Sequence, residues 1–178
     1  MGALLRRRAR CVVSVGGAAA AFVAALVVTQ PQAAPAQVPR AHAALTQGLR
    51  VGFGSTMEEV RAVYDIRSES STACSEVDPC IMLAAPADGL SFFFKNDEKL
   101  LYEVRADQPF AGSIEGIRLR DSLGDVLAKL GEPLRSPWDF AGNKAFIFAV
   151  GARKVRCDFD DSNKCVTIFY FVPDWPGV

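Results

Sequence analysis

At 178 residues, with 50 % apolar content and 22 % charge, the chain has the composition of one or two small globular domains, and not that of a disordered, collagenous or coiled-coil protein. Its formal net charge is zero, but the four basic residues of the first 36 (Arg6, Arg7, Arg8, Arg10) precede the first acid, Glu58, so without that segment 20 − 4 = 16 basic residues face 20 acidic ones. A net charge near −4 disfavours nucleic acid and anionic lipid as partners.

Residues 1–36 read as a secretory signal peptide. A basic cluster at Arg6–Arg10 is followed by an uncharged run from Cys11 to Val28, then by small residues and prolines. Ala34-Pro35-Ala36 and Ala41-His42-Ala43 are both A-x-A-like cleavage sites. The expectation is Sec export to the periplasm or the medium, with no membrane association after cleavage. The alternative is an inner-membrane anchor formed by the uncleaved run, whose 18 residues sit at the lower limit for a span. Residues 37–47 read as a flexible linker rich in Pro, Ala and Gln. An even set of four cysteines in an exported chain favours disulfides over metal ligation. Cys74 and Cys80 bracket a short turn-rich loop, and a three-residue hairpin loop between Cys157 and Cys165 would set those two opposite each other. The expected pairs are 74 with 80 and 157 with 165. The rival four-thiolate zinc site lacks the usual C-x2-C spacing.

The chain repeats itself. Thr56 to Tyr64 lies over Ser122 to Leu130 at an offset of 66, and Leu90 to Val104 lies over Val155 to Phe169 at an offset of 65. Repeat 1 is placed at 48–109 and repeat 2 at 110–178. Each opens with a short apolar strand or turn (Leu49–Phe53; Ile114–Leu119) and continues as a helix. Thr56 with Glu59, and Ser122 with Asp125, have the i, i+3 spacing of a capping box. Met57, Val60 and Tyr64 give the first helix an apolar stripe, and Leu123, Val126, Leu127 and Leu130 give the second one. Gly131 and Pro133 stop the second helix. Three strands follow in each repeat, at 80–84, 89–95 and 99–106, then at 144–150, 154–159 and 165–172. The polar turns Lys95–Glu98 and Asp160–Asn163 separate the last two strands of each set. The predicted fold class is α+β: two tandem α-β-β-β repeats forming an antiparallel sheet with helices packed on one face.

Gly116 to Pro133, followed by Trp138-Asp139-Phe140 and three strands, resembles the SmpA/OmlA domain of the β-barrel-assembly lipoprotein family. Two such units in tandem are similar to the architecture of secreted β-lactamase inhibitor proteins. The lipid-bearing cysteine of the assembly family has no counterpart here, because Cys11 precedes the apolar run. The resemblance implies a non-catalytic envelope protein that binds another protein through its sheet face or loops.

Catalytic constellations are sparse. The single histidine, His42, lies in the linker, so Ser-His-Asp and Cys-His arrangements have no support, and no P-loop or G-x-G-x-x-G occurs. No cofactor and no metal are expected. Asp158, Asp160, Asp161 and Asn163 form the densest oxygen cluster, but the central Gly and terminal Glu of a calcium loop are missing, and a solvated hairpin turn is the better reading. Asp139, between Trp138 and Phe140, is the candidate carboxylate if the protein is a small hydrolase. A carrier with an apolar cavity is the other alternative.

Phe92-Phe93-Phe94 and Phe169-Tyr170-Phe171 place rings on both sides of a sheet, and helices cover only one side. The expected interface is the other side, carried by Phe93, Tyr102, Trp138, Phe140, Ile168 and Tyr170. Its expected partner is another envelope or secreted protein, or a second copy of this chain as a homodimer.

Overall fold

A computed structural model describes residues 46–73 and 79–172. The expected signal segment, His42, most of the expected linker and Cys74 lie outside the described residues. The elements run α1 (Met57–Val63), β1 (Ser68–Ala73), β2 (Pro79–Ala85), β3 (Leu90–Lys95), β4 (Leu101–Ala106), α2 (Leu123–Leu130), β5 (Trp138–Phe140), β6 (Asn143–Val150), β7 (Arg153–Phe159) and β8 (Cys165–Phe171). The strands make one eight-stranded antiparallel sheet in the order β1-β2-β3-β4-β8-β7-β6-β5. Each helix is therefore followed by a four-stranded meander, and the two meanders meet where β4 pairs with β8. The fold is α+β and mostly sheet.

Both helices start as their sequences dictate. Thr56 Oγ1 accepts the Glu59 amide at 3.2 Å while the Glu59 carboxylate accepts the Thr56 amide at 2.8 Å. Ser122 and Asp125 make the same exchange at 3.2 and 3.0 Å. Each box satisfies two helix N-terminal amides and sets an acid at the positive end of the dipole. The second helix ends at Gly131, whose φ of +79° suits glycine.

The helices bury their stripes against one face of the sheet. The register aligns Leu83, Phe92, Val104, Tyr170, Val155 and Phe148 in one row across six strands. That row joins Val60 of α1, its C-cap residue Tyr64 and Val126 of α2 in a single core cluster. Phe94, Cys157 and Phe159 lie in the same cluster, so the period-two reading of Leu90–Phe94 and Val155–Phe159 holds in space.

Three expectations are corrected. First, each meander has four strands, not three. The added strands are β1, whose Ser/Thr/Glu sequence has no apolar alternation, and the three-residue β5 at Trp138–Phe140, where a loop was expected. Second, Ile168 and Tyr170 face the helices. They pair with Cys157 and Val155, and residues directly opposite each other share a face. A bulge between Asp158 and Phe159 adds a residue to the hairpin, and a one-residue shift moves every following side chain to the other face. Third, Cys157 and Cys165 are free thiols, both buried. The same bulge sets Cys157 opposite Ile168 and Cys165 opposite Phe159, so the two are not directly paired. They remain close enough for a side-chain hydrogen bond, which together with burial pushes the Cys157 thiol up. Cys80, by contrast, is disulfide-bonded.

Alkylation followed by peptide mapping tests the cysteine assignment. In the unreduced protein, Cys157 and Cys165 are expected to resist alkylation when folded, because both are buried and inaccessible to the reagent. Both should become modified in denaturant without reductant. Failure to label them after denaturation would show that the pair is oxidised.

Candidate functional site

The sheet face turned away from the helices carries a cluster of guanidinium groups, carboxylates and rings. Register places Arg156 on β7 between Ile147 on β6 and Phe169 on β8, with Phe169 next to Arg105 on β4. The adjacent row runs Trp138, Ala145, Asp158 and Thr167. Arg156 and Asp158, two residues apart on one strand, project on the same side.

Arg156 Nε and Nη2 donate to Asp158 Oδ1 and Oδ2 at 2.7 and 2.8 Å, a bidentate pair whose side chains are only 12 % and 5 % exposed. The guanidinium lies 3.9 Å from the Phe140 ring centroid, 4.6 Å from Phe169 and 5.4 Å from Trp138. Arg135 covers Trp138 at 3.8 Å. At the other end, Arg105 lies 5.6 Å from Phe169 and donates through Nε to Asp107 Oδ2 at 2.7 Å, while Thr167 Oγ1 donates to Asp107 Oδ1 at 2.7 Å. Cations and rings thus alternate from Arg135 through Trp138, Arg156 and Phe169 to Arg105. Each stacked guanidinium gains from the ring quadrupole while its stem excludes water.

Beside this ladder, Glu103 lies between Phe93 and Phe171 in the register and is 8 % exposed. Burial raises its carboxyl from 4.5 to about 7, opposed by the charges of Arg156 and Arg105. Burial likewise raises Asp158, against the pull of Arg156, and lifts the Tyr102 phenol far above its ordinary value, helped by the charge of Glu103.

The six residues expected at an interface separate into three groups. Phe93 and Tyr102 lie on this face but are buried with Cys80 in a small second cluster. A register shift between Phe93 and Phe94 pairs them with Glu103 and Leu101 and leaves Tyr102 between the two. Trp138 is half-buried, and Phe140 is 46 % exposed. Ile168 and Tyr170 belong to the core, where the Tyr170 hydroxyl bonds Glu115 and the Glu115 amide donates to Thr46 Oγ1 at 3.1 Å. Sequence reasoning missed Phe169 and Arg135. The misassigned phase of β8 hid Phe169, and nothing in the local pattern marks Arg135 as a stacking residue.

The features tied to the rival functions lie elsewhere. Asp139 points away from Trp138 and Phe140, is 80 % exposed, and pairs with Lys144 at 2.8 Å. Asp160 is occupied within its own turn, accepting from the amides of Ser162 at 3.0 Å and Lys164 at 2.9 Å and pairing with Arg120 at 3.3 Å. Among the described residues, no group of three or more His, Cys, Asp or Glu side chains is arranged to hold a metal ion. An open cleft of about 250 Å³ lies among Gly48, Leu90, Pro109 and Phe110, below the usual range for a drug-sized ligand.

No family model and no curated protein matches the chain. Two solved structures are similar to it. One is an extracellular protein containing an SCP domain from Bacillus anthracis str. Ames, 10 % identical with a TM-score of 0.52, covering 67 % of this chain and 44 % of that one. The other is a DUF4309 family protein (YjgB) from Bacillus subtilis subsp. subtilis str. 168, 12 % identical with a TM-score of 0.44, covering 71 % of this chain and 83 % of that one. The chain spans less than half the length of the Bacillus anthracis protein. That likeness is one of fold. Among the described residues, no helix is long and apolar enough to cross a membrane.

Two measurements probe the site. Glu103 has a raised carboxyl in the folded state, so the folded chain holds the extra proton between pH 4.5 and about 7. The contribution of Glu103 to stability is therefore fully present below pH 4.5 and is lost as pH rises towards 7. Glu103→Gln is expected to remove this contribution from the pH dependence of Tm and to raise Tm at pH 7.5 relative to the parent. Secondly, Arg156→Ala leaves the buried Asp158 carboxylate without its partner. Denaturant unfolding should show a loss of about 3 kcal/mol, and Asp158→Asn introduced on top should recover part of it.

Proposed function

We propose that this protein is an exported, non-catalytic protein-binding module of the bacterial envelope, which meets its partner on the sheet face turned away from the helices. The observation that carries this reading is the Arg156 ladder. A guanidinium held bidentately by Asp158 lies against half-buried Trp138 and exposed Phe140, with Arg135 over the Trp138 ring. Arginine and large aromatics held rigid by their own neighbours are the residue types that dominate binding energy at protein interfaces, and an exposed apolar area rimmed by charge is the usual form of such a surface. Their rotamers are ordered before binding, so less entropy is lost on association.

The two helix-and-meander units are read as tandem copies of one ancestral unit. The matching capping boxes and the mirrored strand order support this. So does the positive φ shared by Lys99 and Asn163 near the ends of corresponding turns. On this reading the chain is similar in plan to a double SmpA/OmlA domain, and an assembly accessory and an inhibitor are the two sharper forms of its function. Export follows from the signal-like segment and agrees with the extracellular nature of the Bacillus anthracis fold neighbour. The hydrolase reading loses support because Asp139 is solvated and salt-bridged away from the aromatics.

Crosslinked affinity capture of the exported protein is expected to recover one stoichiometric partner. Trp138→Ala with Phe140→Ala should reduce that recovery at least about tenfold, since each is an anchor of the proposed surface, while leaving the unfolding transition close to that of the parent. Recovery unaffected by the double substitution would overturn the assigned face, and recovery of no partner would overturn the binding-module reading.

A further inference from the structure

β1 buries no described side chain. Ser68, Glu69, Ser70 and Ser71 point alternately to the two faces of the sheet, and all four are exposed. Its six residues nevertheless pair with β2 in unbroken register, from Ser68 opposite Ala84 to Ala73 opposite Pro79. A strand whose described side chains are all exposed is not explained by their hydrophobic burial. What it contributes is the edge of the sheet, because β1 stands at one end of the strand order.

Sheet edges are normally guarded by proline, by a bulge, by brevity or by an unpaired charge, since a bare edge is a template for another strand. The opposite edge follows this practice: β5 has only three residues. β1 has none of these guards. It contains no proline, its register has no shift, and its one charge, Glu69, is neutralised by Arg61 of α1. Half of its backbone amides and carbonyls point away from β2.

We infer that β1 is a self-association edge, at which a second copy of this chain adds its own β1 antiparallel to form one continuous sheet through two molecules. The strand is complementary to itself. In a two-fold antiparallel pair the axis passes through a residue that faces its own copy. Centring the axis on Glu69 would set two carboxylates opposite each other. Centring it on Ser70 places Glu69 opposite Ser71 of the second copy and pairs Ser68 with Thr72, so no like charges meet. The small hydroxyl side chains on both faces of β1 leave the approach of the second backbone open. This inference does not depend on the Arg156 face.

Sedimentation velocity on the exported protein over about a hundredfold range of concentration tests it, since mass action makes self-association concentration-dependent. The parent protein is expected to pass from monomer to dimer, and the β1 amides are expected to gain hydrogen-exchange protection with rising concentration. Ser70→Lys brings two ammonium groups together at the axis. It should weaken dimerisation by about tenfold or more, with an unchanged far-UV spectrum because residue 70 is exposed. A parent that stays monomeric overturns the inference. So does a Ser70→Lys protein that dimerises as tightly as the parent, a dimer whose β1 amides gain no protection, or a dimer dissociated by Phe140→Ala and not by Ser70→Lys.

Discussion

The pairing of β4 with β8 is the constraint on which the rest of the molecule depends. Val104 opposite Tyr170 and Ala106 opposite Ile168 join two rows of core residues that run from β2 to β6. Neither helix exceeds eight residues, and helices this short are marginal without tertiary contacts. Each gains its stability from the face of a sheet that spans both meanders. Helix capping then fixes where each helix begins, and the shared core fixes what it packs on.

An eight-stranded sheet has a second face, and two short helices on the first leave it without helical cover. This chain covers that face without building a second full hydrophobic layer. Near β2–β4 the small cluster of Cys80, Phe93 and Tyr102 covers it. Across β4–β8–β7–β6–β5 the long stems of Arg105 and Arg156 lie flat on rings, with their charges matched by Asp107 and Asp158. Buried pairs of this kind are weak contributors to net stability, because desolvation of the two charges offsets most of their attraction. Glu103 adds a further cost at neutral pH, since burial opposes its ionisation. A face stabilised in this way is more expensive than an apolar one of equal area.

Much of this was legible in the chain, and the parts that were not share a physical cause. Capping boxes, turn residues and the alternation of Leu90–Phe94 and Val155–Phe159 are local signals, and the structure realises each of them. β8 carries no such signal. Six of its residues, from Cys165 and Val166 through Ile168 to Phe171, are apolar, with only Thr167 polar, so alternation cannot tell its two faces apart. Its phase is set by β7 across the bulge at Asp158, a feature of the pair and not of either strand. The same bulge displaced the expected Cys157–Cys165 pairing. β1 escaped for the opposite reason: a strand polar on both faces has no amphipathic period to read. The site followed suit, for Trp138 and Phe140 stood out as exposed aromatics, whereas Phe169 and Arg135 become members only once β5, β7 and β8 are side by side.

The two meanders therefore differ in what they do with similar plans. The first ends the sheet in a long, small-residue, charge-neutral strand that leaves its backbone accessible. The second ends it in a three-residue strand whose side chains, Trp138 and Phe140, close over Arg156. Backbone accessibility favours recognition through main-chain hydrogen bonds, which is tolerant of sequence, while fixed rings and guanidinium groups favour recognition of a particular surface. Duplication of one unit followed by divergence at the edge strands would give a single sheet with two chemically distinct ends. The core row between them runs through both meanders, and both helices pack on it.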